Sequence, residues 1–391
     1  MEIDIFMTLT IAVLALMVGS WLRRRIPALK RFCIPAPVIG GLIFALISLA
    51  GYVSGAFVCK FNEDIKELCM VLFFTSVGFQ ANIKTIKQGG KPLIVLIILV
   101  ALTSVLENLA AIGSAWAMGL DGMVGMTAGS IPMLGGHGTA GAFGPDMEAL
   151  GLRGATTLCT AAATFGLIAG SLIGGPLGEH LIVKRNLLST AVPEADETIN
   201  GADRQHLFTS CTTATFQLIL AAGIGTLLSW AISLTGITFP IYIGGMLVAA
   251  IMRNYAEYTH RLEIPMHQIN DLGNICLSLF LGMAMISLRL WELAELALPL
   301  VVMLAVQFIL VVLLARFVVF RFLGGNYDAA VMTSGYCGFA MGATPNAIAN
   351  MQAVCDRFAP SAKAYLLIPL VGSMFADFIN SFIITFFINI L

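Results

Sequence analysis

Long runs without a charged side chain limit most what this chain can fold into. Residues 32–59, 207–252, 272–288, 296–315 and 329–355 contain no Asp, Glu, Lys or Arg. A helix needs about 20 predominantly apolar residues to cross a bilayer. The run from 207 to 252 is long enough for two crossings, with Gly236 and Pro240 marking a turn between them. Only 11% of the 391 residues are charged, against about 25% in a water-facing domain. The chain therefore reads as an all-α polytopic membrane protein.

Hydropathy predicts ten spans, at roughly 5–22, 35–56, 66–82, 92–118, 157–181, 207–233, 238–252, 267–287, 296–318 and 364–388. Glu2 and Asp4 precede the first apolar run, and Arg23, Arg24 and Arg25 follow it. That order is the reverse of a cleaved signal peptide and places the N-terminus outside. Two further apolar segments, about 122–145 and 327–352, are rich in glycine. With both treated as re-entrant, 17 of the 21 Lys and Arg fall on the inner side. The other four, Lys60, Lys66, Arg153 and Arg289, fall outside. Such a bias is what the positive-inside rule requires, and a full crossing by either segment would weaken it. Both termini are then expected outside. The polar stretch 183–206 reads as a cytoplasmic linker at the midpoint. The eight cysteines are scattered and make no metal-ligand spacing, so they read as small packing residues.

The halves repeat. Met126-Thr127-Ala128-Gly129 aligns with Met332-Thr333-Ser334-Gly335 at a shift of 206, which also brings Gly136 onto Gly342 and Gly166 onto Gly372. Neighbouring shifts of 204 and 207 bring Gly40-Gly41 onto Gly244-Gly245 and Cys69 onto Cys276. Matches in constant order at a near-constant shift mark an internal repeat. Five spans per half is an odd number, so the second copy is inverted. The predicted architecture is an N-terminal repeat, 1–182, and a C-terminal repeat, 207–391, each with one re-entrant hairpin. Inverted repeats belong to transporters that work by alternating access, with binding near the midplane.

The segment Ser130-Ile131-Pro132-Met133-Leu134-Gly135-Gly136-His137-Gly138-Thr139 and its counterpart Gly338-Phe339-Ala340-Met341-Gly342-Ala343-Thr344-Pro345-Asn346 disfavour a continuous helix. Broken backbone at membrane depth survives where protein or a water-filled cavity satisfies it. The expected substrate site comprises Ser130, Gly135, Gly136, His137, Gly138, Thr139, Gly342, Ala343, Thr344 and Asn346. Helix N-termini there would face an anion, and hydroxyl, amide and carbonyl oxygens would face a sodium ion. Thr139, Thr344 and Asn346 are the candidate sodium ligands of the two breaks. In the last span Asp377 and Asn380 share a helical face, which suits either a sodium pair or a helix–helix hydrogen bond. Close helix packing is the other use for the glycines, and His137 fits a structural or a binding role. Glu107 and Asn108, deep in the fourth span, suit a protonated or paired structural role at least as well as a functional one. No nucleophile–base pair, metal cluster or phosphate loop is present in the sequence, so neither an enzyme nor a resident cofactor or metal is expected. A passive channel is the other transport class open at this point.

These runs, with Asn326-Tyr327-Asp328-Ala329-Ala330, Leu290-Trp291-Glu292-Leu293-Ala294 and Ala347-Ile348-Ala349-Asn350-Met351, resemble the bacterial glutamate:sodium symporter family over nearly the whole length. Leu134, Ala140 and Glu107 depart from its usual pattern. The resemblance implies sodium-coupled uptake of glutamate across the bacterial inner membrane. It also implies two re-entrant loops and a homodimer in which one domain moves against a scaffold. Symport of another small carboxylate, driven by sodium or protons, is the alternative. Lipid, sodium and an anionic substrate are the expected partners, and nucleic acid is not.

Overall fold

The computed structural model describes residues 2–27, 29, 34–190, 207–234, 241–259, 262–291 and 296–391. The linker beyond residue 190, the turn at Gly236 and Pro240, and residues 292–294 of the Leu290–Ala294 run lie outside them. The described chain is helical, apart from one two-residue strand pair, Glu2–Ile3 with Lys60–Phe61.

The first half holds α1 (Ile5–Arg25), α2 (Ala36–Val53), α3 (Asp64–Gln80), α4 (Ile83–Ala117), α5 (Gly122–Met126), α6 (Gly136–Ala149) and α7 (Ala155–Arg185). The second holds α8 (Leu207–Ser233), α9 (Ile241–Thr259), α10 (Met266–Ile286), α11 (Ala297–Leu313), α12 (Tyr327–Ala340), α13 (Thr344–Cys355), α14 (Ala362–Leu370) and α15 (Ala376–Ile390). A wide turn, Leu314–Val319, extends α11 to Phe322. Among the described residues, seven helical stretches are long and apolar enough to cross a membrane: α1, α2, Gly90–Ala117 of α4, α7, Ser210–Ser233 of α8, α10, and α11 with its extension. The other three predicted spans fall on α3, on α9 and on the pair α14–α15.

Local chemistry sets several boundaries. Asp4 caps α1 by accepting from Met7 N–H at 2.8 Å, and Arg23, Arg24 and Arg25 fill its last turn, where cations oppose the helix dipole. Gly90 breaks the start of α4 two residues before Pro92. Pro369, which has no N–H to donate, lies just ahead of a five-residue π turn, Val371–Phe375, that separates α14 from α15.

Close approaches recur at repeat-related positions. A Cβ added to Gly19 would lie 2.8 Å from Gly40 N, and one added to Gly225 would lie 2.5 Å from Gly244 C. The backbones of α1 and α2 thus touch through glycine, as do those of α8 and α9. Helices α3 and α10 pack together, and the thiols of Cys69 and Cys276 lie close to one another between them.

Candidate functional site

Two helix starts face each other at the centre of the molecule. Residues 127–135 run in turns between α5 and α6, and Met341–Ala343 interrupts α12 and α13. Gly136 opens α6 with φ +60°, and a Cβ built there would lie 2.6 Å from Gly342 O. The two breaks therefore meet backbone to backbone. Neither α6 nor α13 carries a side-chain hydrogen bond at its cap residue, Gly135 or Ala343. Helix starts of this kind present N–H groups and a partial positive charge.

A cleft of about 300 Å³ opens at this junction, at the small end of the range for small-molecule sites. Of the predicted substrate residues, Gly135, Gly136, His137, Gly138, Thr139, Gly342, Ala343 and Thr344 line it. Ser130 and Asn346 do not. Both are fully buried and hold the breaks together. Ser130 N–H donates to Asn108 Oδ1 at 2.8 Å, and its carbonyl accepts from Asn380 Nδ2 at 2.9 Å. Asn346 Nδ2 donates to Leu167 O on α7 at 2.8 Å.

Asp377 and Asn380 have different surroundings. Asp377 lines the cleft next to Gly372 of the π turn. Asn380 is committed elsewhere: besides Ser130 O, it accepts from Ser104 Oγ at 2.6 Å. Its amide thus ties α15, α4 and the first break into one network. Glu107 and Asn108 border that network. Glu107 is fully buried near the Leu134 backbone, with no cation beside it among the described residues.

His137 is 5% exposed, and its Nε2 lies 3.0 Å from Thr164 Oγ1. The Thr164 hydroxyl already donates to Thr160 O at 2.9 Å. It therefore accepts from the histidine, which places a proton on Nε2.

Sequence reasoning missed Gln80 and Asn274, which line the cleft from α3 and α10, along with Phe73 of α3 and Phe339 of α12. A polar amide inside an otherwise apolar span was the available signal for the first two. No Lys or Arg lines the cleft among the described residues. Fixed positive charge there comes from backbone dipoles.

Residues 1–360 match the family described as "Sodium/glutamate symporter". The chain is 38% identical to the sodium/glutamate symporter of Escherichia coli (strain K12), across 99% of this chain and 98% of that protein. It is also 38% identical to the sodium/glutamate symporter of Haemophilus influenzae, across 96% and 94%.

Proposed function

The chain belongs to the sodium/glutamate symporter family, and on that premise we propose that it carries glutamate with sodium into the cell across the bacterial cytoplasmic membrane by alternating access. It is a multi-pass membrane transporter and not an enzyme. The observation that carries the proposal is the contact of Gly136 with Gly342 at the mouth of one cleft. Repeat-related residues that touch each other lie on the axis relating the repeats, and Cys69 with Cys276 is a second such pair. The matching glycine contacts of α1–α2 and α8–α9 point the same way. All of these support two inverted repeats of five spans each.

Contacts at the helix ends support the re-entrant course. Ile83 N–H donates to Asn254 Oδ1 at 2.9 Å and Gln80 Nε2 to Asn270 Oδ1 at 3.3 Å, so the end of α3 and the start of α4 share a face with Asn254 and Asn270. The opposite end of α3 shares a cleft with residues 145–157. Since α3 and α4 both cross, the segment 122–149 returns to the face it entered. The same reasoning covers 327–355: Arg185 lies over Phe320, and Arg357 pairs with Glu179 at 2.5 Å. Both flanks then share the far end of α7. The positive-inside rule makes that face cytoplasmic and leaves both termini outside.

Within the cleft, the starts of α6 and α13 supply N–H groups to the substrate carboxylates. Asp377, the hydroxyls of Thr139 and Thr344, and carbonyls at the breaks supply oxygen to sodium. Asn380 and Asn346 act behind them by holding the breaks in shape. Sodium bound beside an anionic substrate offsets charge that no Lys or Arg of the cleft meets among the described residues. Two such chains pair as a homodimer, an arrangement the family resemblance implies.

Radiolabelled glutamate uptake into proteoliposomes, with and without an inward sodium gradient, tests the proposal. Accumulation that depends on the gradient is expected. Equal uptake without sodium would remove the coupling, and competition by unlabelled di- and tricarboxylates would redirect the substrate assignment.

A further inference from the structure

A second cleft, of about 350 Å³, lies on the face opposite the cytoplasmic one and takes no part in the site above. Lys60, Lys66 and Arg289 line it, with Glu63, Glu148, Thr156 and Ser287. Lys66 pairs with Glu63 at 2.9 Å, and its side chain is only 11% exposed. Glu148 Oε1 accepts from Thr156 N–H at 2.9 Å. Among the described residues the lining carries three cations and two carboxylates, a net single positive charge. The same inside-positive bias leaves four basic residues on the outer face, and three of them converge here.

The clefts share a seam. Helices α3, α6 and α10 line both: Lys66, Glu148 and Ala284 at the outer cleft, and Val77, Thr139 and Leu277 at the central one. These residues are 7–11 apart along each helix, or about 10–16 Å at the helical rise, and the clefts come closest on α10, where Leu281 and Ala284 are three residues apart. The outer cleft thus lies on the outer side of the central one. Between them Phe280 is fully buried, its ring 2.8 Å from a Cβ built on Gly141.

We propose that the outer cleft is a capture site for the anionic amino acid, occupied before the seam opens toward the central cleft. Lys60 and Arg289 receive the two carboxylates, and Glu148 receives the ammonium group. A positively charged concavity raises the local concentration of an anion and its rate of entry, in a salt-dependent way. This inference rests on the glutamate reading above.

Initial rates of glutamate uptake in right-side-out vesicles test it, using Lys60→Gln, Arg289→Gln and the double variant, each normalised to the amount inserted. The KM for external glutamate is expected to rise roughly three- to tenfold in the double variant, with kcat held and the ionic-strength dependence of KM flattened. Lys60→Arg should restore the wild-type KM. Arg153→Gln, which changes the outer basic residue that does not line the cleft, should leave it unmoved. In inside-out vesicles the same variants should keep the wild-type KM. An unchanged external KM, or equal shifts from both sides, would overturn the capture site. A wild-type protein that takes up no glutamate would overturn the functional reading, and the inference with it.

Discussion

At Gly136 two constraints coincide. Its φ of +60° is in the left-handed region, and its neighbour across the junction is a backbone carbonyl, Gly342 O. A side chain there costs about 1–2 kcal/mol in conformation alone. It would also wedge the two breaks apart. Since ~1.4 kcal/mol is about tenfold in a rate, Gly136→Val should cut uptake by roughly tenfold or more while the protein still inserts. Normalised proteoliposome uptake measures this, and full activity would remove the tip-to-tip contact from the mechanism. Gly113 makes the contrast, because a Cβ there meets no atom within 4 Å. Gly113→Ala should leave transport unchanged and stabilise α4 by about 0.5–1 kcal/mol. Asp377 supplies the carboxylate of the cleft, and Asp377→Asn preserves its shape while removing the charge. The sodium concentration for half-maximal uptake should rise by about tenfold, equivalent to ~1.4 kcal/mol. A sodium dependence that does not move would take Asp377 out of the coupling site.

Seven of the ten spans that hydropathy predicts coincide with helices long and apolar enough to cross a membrane, but the ties between the elements are of another kind. Asn380 joins Ser104 on α4 to Ser130 in the first break, across a chain separation of 250 residues to the latter. Asn380→Ala would leave the Ser104 hydroxyl and the Ser130 carbonyl without this partner, at a cost of about 1–3 kcal/mol for each buried group. A thermal midpoint several degrees lower in detergent is expected, with uptake falling alongside it. Asn380→Asp keeps an acceptor for Ser104 but cannot donate to Ser130, so it should recover part of the loss at most. Seven apolar spans, both breaks and the part of the cleft lining that the breaks supply were legible in the sequence, because charge-free runs and glycine–proline breaks are local signals. The Asn380 tie was not legible, since Asp377 and Asn380 share a helical face and spacing gives no account of what stands opposite. The π turn at Val371–Phe375 was equally hidden. Pro369 signals a disturbed helix, but which way the ladder re-forms depends on the packing of α14.

For the whole molecule, the side on which each cysteine reacts discriminates among the possible courses of the chain. Cys59 lines the outer cleft, Cys211 lies near the start of α8, and Cys355 ends α13; all three are partly exposed. With both glycine-rich segments re-entrant, Cys59 is outside and the other two are inside. If the first segment crossed, every later element would change sides and Cys211 would face out. If only the second crossed, Cys211 would stay inside and Cys355 would face out. Single-cysteine versions treated with a membrane-impermeant maleimide therefore separate the cases. In intact cells Cys59 should label, and Cys211 and Cys355 should label only after permeabilisation. External labelling of Cys211 would end the re-entrant reading of 122–145. External labelling of Cys355 alone would end that of 327–352. Saturating sodium and glutamate should slow the labelling of Cys59, because closing the seam over a loaded centre requires α3 and α10 to move beneath the cleft it lines. Protection of Cys59 by substrate in the Gly136→Val variant would instead show that the outer cleft binds without translocation, separating capture from transport in a single experiment.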